Sequence, residues 1–209
     1  MSGIPTLFHR FLLAVAVALG LTACATGPEP ATVAVPAAVA APEPLIPQPA
    51  AAALRPGLQM LYFSGDFRHV DNMPKTPVEL AKGRRGKTVA NLAEGSDTGR
   101  MWGIESSEFY GAHFTGLISL VAGEYSFVAK SNDGVRVLLD RTRVVDDPEV
   151  HADHVSPPVK VTITRSGWYP ITVQYFQRRG GARLELYWQP PGAGATSIVP
   201  ASALAHVSG

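Results

Sequence analysis

Between Gly123 and Gln189, apolar side chains return at every second position. Tyr125, Phe127 and Ala129 alternate with Glu124, Ser126 and Val128, and Val135, Val137 and Leu139 alternate with Arg136, Leu138 and Asp140. Val161 and Ile163 sit between Lys160, Thr162 and Thr164, while Leu184, Leu186 and Trp188 alternate with Arg183, Glu185 and Tyr187. A period of two sends successive side chains to opposite faces, so each run predicts a strand with one buried and one wetter face. Ala122-Gly123, Asn132-Asp133-Gly134, Ser166-Gly167, Gly180-Gly181 and Pro190-Pro191-Gly192 separate the runs with turn residues. Short strands at this spacing, with no strand-helix-strand pattern, favour an antiparallel sandwich or barrel over a parallel sheet. The expected core is Tyr125, Phe127, Val135, Val137, Leu139, Ile171, Val173, Leu184, Leu186 and Trp188. Arg136, Arg183 and Glu185 fall on the wetter face. Residues 64–108 follow no such period; they predict a loop-rich excursion with one helical turn near Pro77 to Lys82.

Cys24 is the only cysteine in the chain. No intramolecular disulfide and no multi-cysteine metal site can form, so the fold must hold by its core. Met1 to Arg10 carries one positive charge, and Phe11 to Leu21 is an unbroken stretch of apolar residues and glycine, the layout of an export signal. That stretch is shorter than the roughly 20 apolar residues a membrane span needs. It ends in Leu21-Thr22-Ala23-Cys24, which resembles the lipobox of bacterial lipoproteins, where the thiol is acylated and the chain is cut just before it. The expectation is therefore a signal peptide over 1–23, a lipid bilayer partner through acylated Cys24, and a place in the bacterial cell envelope. Ala25, the residue after the cysteine, resembles the pattern of outer-membrane lipoproteins. Residues 24–53 are nearly all Ala, Pro and Val, which predicts a semi-extended tether with about 3.1 Å of reach per residue when fully stretched. Residues 54–209 are then one domain.

Charge names no partner. Of 18 basic residues Arg10 leaves with the signal, which matches 17 basic against 17 acidic groups and argues against nucleic acid.

Three stretches carry a family resemblance. Gly123-Glu124-Tyr125-Ser126-Phe127, then Ser131 through Asp140 (SNDGVRVLLD), then Gly167 through Tyr175 (GWYPITVQY), look like the central signature of the protective-antigen fourteen-kilodalton (PA14) domain. The flanks agree in order: Leu58 to Phe63, Phe109 to Ile118, Leu184 to Trp188 with Pro191-Gly192, and Ile198-Val199-Pro200 followed by Leu204. The resemblance implies an antiparallel β-sandwich that in many relatives binds carbohydrate. It also implies a site, because lectin members hold calcium, and through it sugar hydroxyls, on two adjacent aspartates joined by a cis peptide. Here that pair reads Asn132-Asp133, which lowers the charge of a site needing several oxygen ligands. The later loop asparagine of those lectins has no counterpart, since no Asn follows residue 132. Calcium on Asp133 stays open as a doubtful cofactor. The plainer reading of Asn132-Asp133-Gly134 is a turn in which Gly supplies positive φ.

Two further patterns were weighed. Ala81-Lys82-Gly83-Arg84-Arg85-Gly86-Lys87-Thr88 fits a relaxed phosphate loop, but Thr76 to Leu80 is no core strand to launch it. His151-Ala152-Asp153-His154, near Asp146 and Asp147, could gather a transition metal in a loop, against the plainer reading of a solvated polar loop. No Ser/His/Asp set has nucleophile-elbow spacing, so no enzyme is expected. The reading that results is a lipid-anchored module binding an envelope or surface glycan through Asn132, Asp133, Asp146 and Asp147, with Tyr187 or Trp168 covering the sugar ring. The alternative is an interaction module that docks on an envelope protein.

Overall fold

The computed structural model describes residues 41–208; the expected export segment, Cys24 and the first part of the Ala/Pro stretch lie outside them. In chain order the strands are β1 Leu54–Pro56, β2 Gln59–Ser64, β3 Arg84–Arg85, β4 Ala93–Ser96 and β5 Tyr110–Leu120. There follow β6 Gly123–Asn132, β7 Val135–Leu139, β8 Thr142–Asp147, β9 His154–Val155 and β10 Val159–Ile163. The last are β11 Gly167–Gln177, β12 Ala182–Gln189, β13 Ser197–Ile198 and β14 Leu204–Val207. They build two antiparallel sheets. One runs β1-β14-β5-β11-β7-β8, with β2 also on β5 and β3 on β2; the other runs β10-β6-β12-β13, with β4 on β12 and β9 on β6. The expected antiparallel sandwich is what forms.

The period-two reading located the core. Phe127, Val135, Val137, Leu139, Val173, Leu184 and Leu186 have no exposed surface, and Tyr125 and Ile171 have almost none. Trp188 is only partly buried and packs on the edge of this cluster, with its ring 5.7 Å from Tyr125. Arg136 differs from expectation: it is 5% exposed rather than on a wet face. Its guanidinium is held by Asp146 at 2.6 Å and Asp71 at 2.8 Å, and Asp71 comes from the excursion that covers this side of β7. A buried cation paired on two sides loses much more on truncation than an exposed one.

The excursion over 64–108 is loop-rich, and its helical turn forms at Pro77–Leu80. Thr76 caps that turn by accepting from the Glu79 N–H, while the Glu79 carboxylate reaches back to the Thr76 N–H. What the missing period hid is packing. Met101, Trp102 and Ile104 join the main core, and Val70 and Met73 close over Phe176 to form a second small cluster.

The stretch expected as tether lies on the domain from Glu43 onward. Glu43 pairs with Arg165 at 2.8 Å, the Leu45 N–H donates to the Trp168 carbonyl, and Gln48 accepts from the Trp168 N–H at 2.6 Å. Among the described residues of this segment only Ala51–Ala53 forms a short 3-10 turn, and single polar groups remain to bond with the start of β11.

Candidate ligand-binding end

Asn132-Asp133-Gly134 is the corner where the chain leaves one sheet at the end of β6 and enters the other at β7. The Asn132–Asp133 peptide is cis. Gly134 has no positive φ; it is needed for close approach, because a Cβ there would lie 2.8 Å from the carbonyl oxygens of Pro148 and Glu149. The corner is tied to the end of β11. The Asp133 N–H donates to the Phe176 carbonyl and the Phe176 N–H to the Gly134 carbonyl, while the buried Tyr175 hydroxyl donates to the Asn132 carbonyl at 2.6 Å.

Other segments are stitched to the same corner. The Phe109 N–H donates to the Arg178 carbonyl, the Gly65 N–H to the Phe109 carbonyl, and the Val70 N–H to the Pro148 carbonyl. Loops from four places in the chain, near residues 66, 109, 150 and 179, thus converge at one pole of the sandwich. Arg178 Nε contacts Asp66 Oδ1 at 2.7 Å, which holds the Asp66 carboxyl below its usual range. The exposed Arg179 guanidinium lies 5.0 Å from the Phe109 ring centroid.

Asp133 is 4% exposed. Its Oδ2 accepts the Arg178 N–H at 2.8 Å, and the His151 N–H is directed to the same carboxylate. Burial pushes its carboxyl above the usual aspartate range, while these donors pull it back. The Asn132 side-chain amide makes no hydrogen bond within the described residues, so its donor pair and acceptor are available.

The other expected site residues divide. The 146–154 loop does meet the 132–134 corner, as Gly134 and Asp133 show. Asp146 and Asp147, neighbours on β8, turn to opposite sides. Asp146 is spent on Arg136 and Arg143, at 2.6 and 3.0 Å, and does not reach the corner. Asp147 lies against His154 at 2.7 Å and His151 at 3.4 Å. Tyr187 does not join: Arg183, not Tyr187, is opposite Asn132 in the ladder, and four residues of strand are about 13 Å. Its hydroxyl is bound to Glu185 at 2.7 Å. Trp168 is farther still, at the start of β11, whose other end meets the corner. The aromatic that does belong to this pole is Phe109. From sequence only Gly180-Gly181 marks a turn here; the two adjacent cations before it, Arg178 and Arg179, were the available signal.

A calcium ion needs six to eight oxygens at about 2.3–2.6 Å. Asp133 offers a single carboxylate that already accepts the Arg178 backbone N–H, beside the Arg178 guanidinium charge. Among the described residues Asp133 belongs to no group of three metal-ligating side chains. These residues do not fit calcium.

A family model described as the PA14 domain matches residues 95–202. No curated protein matches the sequence. Among solved structures, an anti-sigma factor domain-containing protein is similar with a TM-score of 0.59 at 19% identity, over 74% of this chain and 50% of that one. The chain thus spans about half the length of that relative. The epithelial adhesin 9 A domain of Candida glabrata, solved with Galb1-4GlcNAc, gives a TM-score of 0.59 at 12% identity, over 81% of this chain and 97% of that one. A PA14 sugar-binding domain from an RTX adhesin gives 0.56 at 19% identity, over 72% and 98%.

Proposed function

The chain belongs to the PA14 domain family, and from that premise we propose that it is a lipid-anchored, non-enzymatic module that binds glycan at the Asn132–Asp133 pole. The observation that carries the reading is the convergence of four loops there, which leaves the Asn132 amide, Arg179 and Phe109 around one corner. Loops held by rigid sheets are where ligand groups collect in sandwiches. A sugar needs such a mixture, with hydrogen-bonding groups for its hydroxyls and an apolar ring for its carbon face. The adhesin domains, solved with or named for sugars, lend the ligand class.

The placement of the N-terminal segment supports presentation. Glu43 to Gln48 meets the domain at Arg165 and Trp168, whereas the ligand pole lies at Phe176 to Arg179. The intervening length of β11 is about 30 Å. The chain therefore joins the domain at the end of β11 opposite the ligand loops. Localisation to the envelope, at the outer membrane, follows from Cys24 and Ala25.

Two outcomes are expected. A glycan array probed with the full-length chain gives the same positives with and without chelator, because no calcium site backs the corner. An intact chain that binds nothing across a broad array would favour the docking-module alternative, and binding lost to chelator would restore calcium. Separately, Cys24→Ala abolishes incorporation of labelled fatty acid in cells; a variant labelled as strongly as wild type contradicts the anchor.

A further inference from the structure

We infer that Asp147, His151 and His154 form a binding site for a divalent transition metal of the zinc class, distinct from the glycan corner and from any calcium site. Asp147 closes β8 and His154 opens β9, so the loop between them folds back to bring both imidazoles to one carboxylate. One ligand atom from each of the three lies within 4.8 Å of the others. The two imidazole rings are 4.0 Å apart between centroids.

The protonation of His151 is what singles this cluster out from an ordinary ion pair. Its Nδ1 lies 2.9 Å from the Ala152 carbonyl oxygen. A carbonyl can only accept, so Nδ1 carries the proton. In the neutral ring Nε2 is then a bare lone pair. That Nε2 is buried and makes no hydrogen bond, yet it faces Asp147 Oδ2 at 3.4 Å. A buried lone pair beside a carboxylate is unfavourable unless a positive species joins them. A proton would draw the two atoms to about 2.7–2.9 Å, the length of a charge-assisted N–H···O bond. A zinc ion with bonds near 2.0–2.1 Å in tetrahedral geometry sets its ligand atoms about 3.4 Å apart. The 3.4 Å separation matches the spacing of two ligands on one metal.

His154 completes the set with a small movement. Its Nε2 is 2.7 Å from the same Oδ2, so Nε2 now donates to the carboxylate. Metal binding needs His154 as the Nδ1–H tautomer, its proton moving from Nε2 to Nδ1 through solvent, and the ring must withdraw by about 0.7 Å to reach ligand spacing. His154 is free to do so, with 44% of its side chain exposed, and the His151 and Asp147 side chains are held at 12% and 17%. The supporting shell is present: the Ala152 carbonyl fixes the His151 tautomer, and the His151 backbone N–H is directed to the Asp133 carboxylate. Asp153, within the same loop, is not a ligand, because it is engaged by Arg183 at 2.7 Å and Lys130 at 3.6 Å. Two neutral imidazoles and a carboxylate leave a fourth position for water on the exposed His154 side, which suits zinc, cobalt or nickel over calcium.

The test is a titration of the full-length chain in detergent micelles with Co²⁺. One equivalent is expected to bind with the intense visible absorption of four-coordinate cobalt, to be displaced by Zn²⁺ and to resist Ca²⁺. His151→Ala and His154→Ala should each weaken binding by more than about tenfold, and His69→Ala should leave it unchanged. If His151→Ala lacks wild-type circular dichroism, the more exposed His154→Ala decides. No cobalt uptake, uptake equal in wild type and His154→Ala, or displacement by Ca²⁺ would overturn the assignment. The glycan array is independent of this result, so either reading can fail without the other.

Discussion

Tyr175→Ala is expected to destabilise the domain by about 3–5 kcal/mol, the range for removing a buried large side chain. Tyr175 has no exposed surface, stands edge-on to Trp102 at 5.7 Å, and lies in the central cluster between the sheets. Its removal leaves a cavity lined by the Trp102 and Tyr110 rings, one from the loop excursion and one from β5. A second loss is polar. The hydroxyl lies 2.6 Å from the Asn132 carbonyl, which turns the sheet-crossing corner, and no strand ladder replaces that bond. Tyr175→Phe isolates this part and should cost about 1–3 kcal/mol, the penalty for a buried acceptor left without a donor. Urea unfolding of the two variants beside Glu124→Ala, an exposed position, measures both. If alanine and phenylalanine cost the same, packing at Tyr175 is not what holds this end together. If neither costs more than Glu124→Ala, its place in the core is wrong.

How far the sequence could be read depended on whether a residue's surroundings repeat along the chain. Strand faces do repeat, so Phe127, Val137 and Leu186 were legible from alternation alone. Trp102 was not, since it reaches the core from a loop with φ of 52° and its backbone N–H is held by Glu94. Arg136 was misread for a related reason: alternation puts it on the outer face of β7, but the loop carrying Asp71 covers that face. The corner at Asn132-Asp133 was legible through family resemblance, and its partners were not. Arg178, Asp66 and Phe109 come from distant stretches of chain that only the closed sandwich brings together. Tyr187 was misplaced because period two gives the face of a strand and says nothing of distance along it.

The Asn132-Asp133 pair yields the other large effect, with roles opposite to those its chemistry suggests on paper. A free carboxylate at the corner would make Asp133 the sugar ligand, and Asp133→Ala would then remove binding while sparing the thermal midpoint. Burial reverses this. The Asp133 carboxylate holds the Arg178 N–H, with the His151 N–H directed to it more weakly, and alanine leaves the Arg178 N–H without its acceptor at about 1–3 kcal/mol. Asp133→Ala is therefore expected to lower stability by about 1–3 kcal/mol, with the thermal midpoint falling by roughly 2–4 °C for each, and to loosen the loops around residues 151 and 178. Asn132 should behave in the opposite way. Its amide serves no bond within the domain, so Asn132→Ala should cost less than about 1 kcal/mol. Glycan binding without a metal should be weak, near millimolar or about −4 kcal/mol, and the loss of one hydroxyl contact is enough to take it below detection. Calorimetric melting and glycan binding on both variants separate fold from ligand. Asn132→Ala that melts like wild type and still binds would remove Asn132 from the site, and Asp133→Ala that also melts like wild type would mean its carboxylate is not holding the two loops.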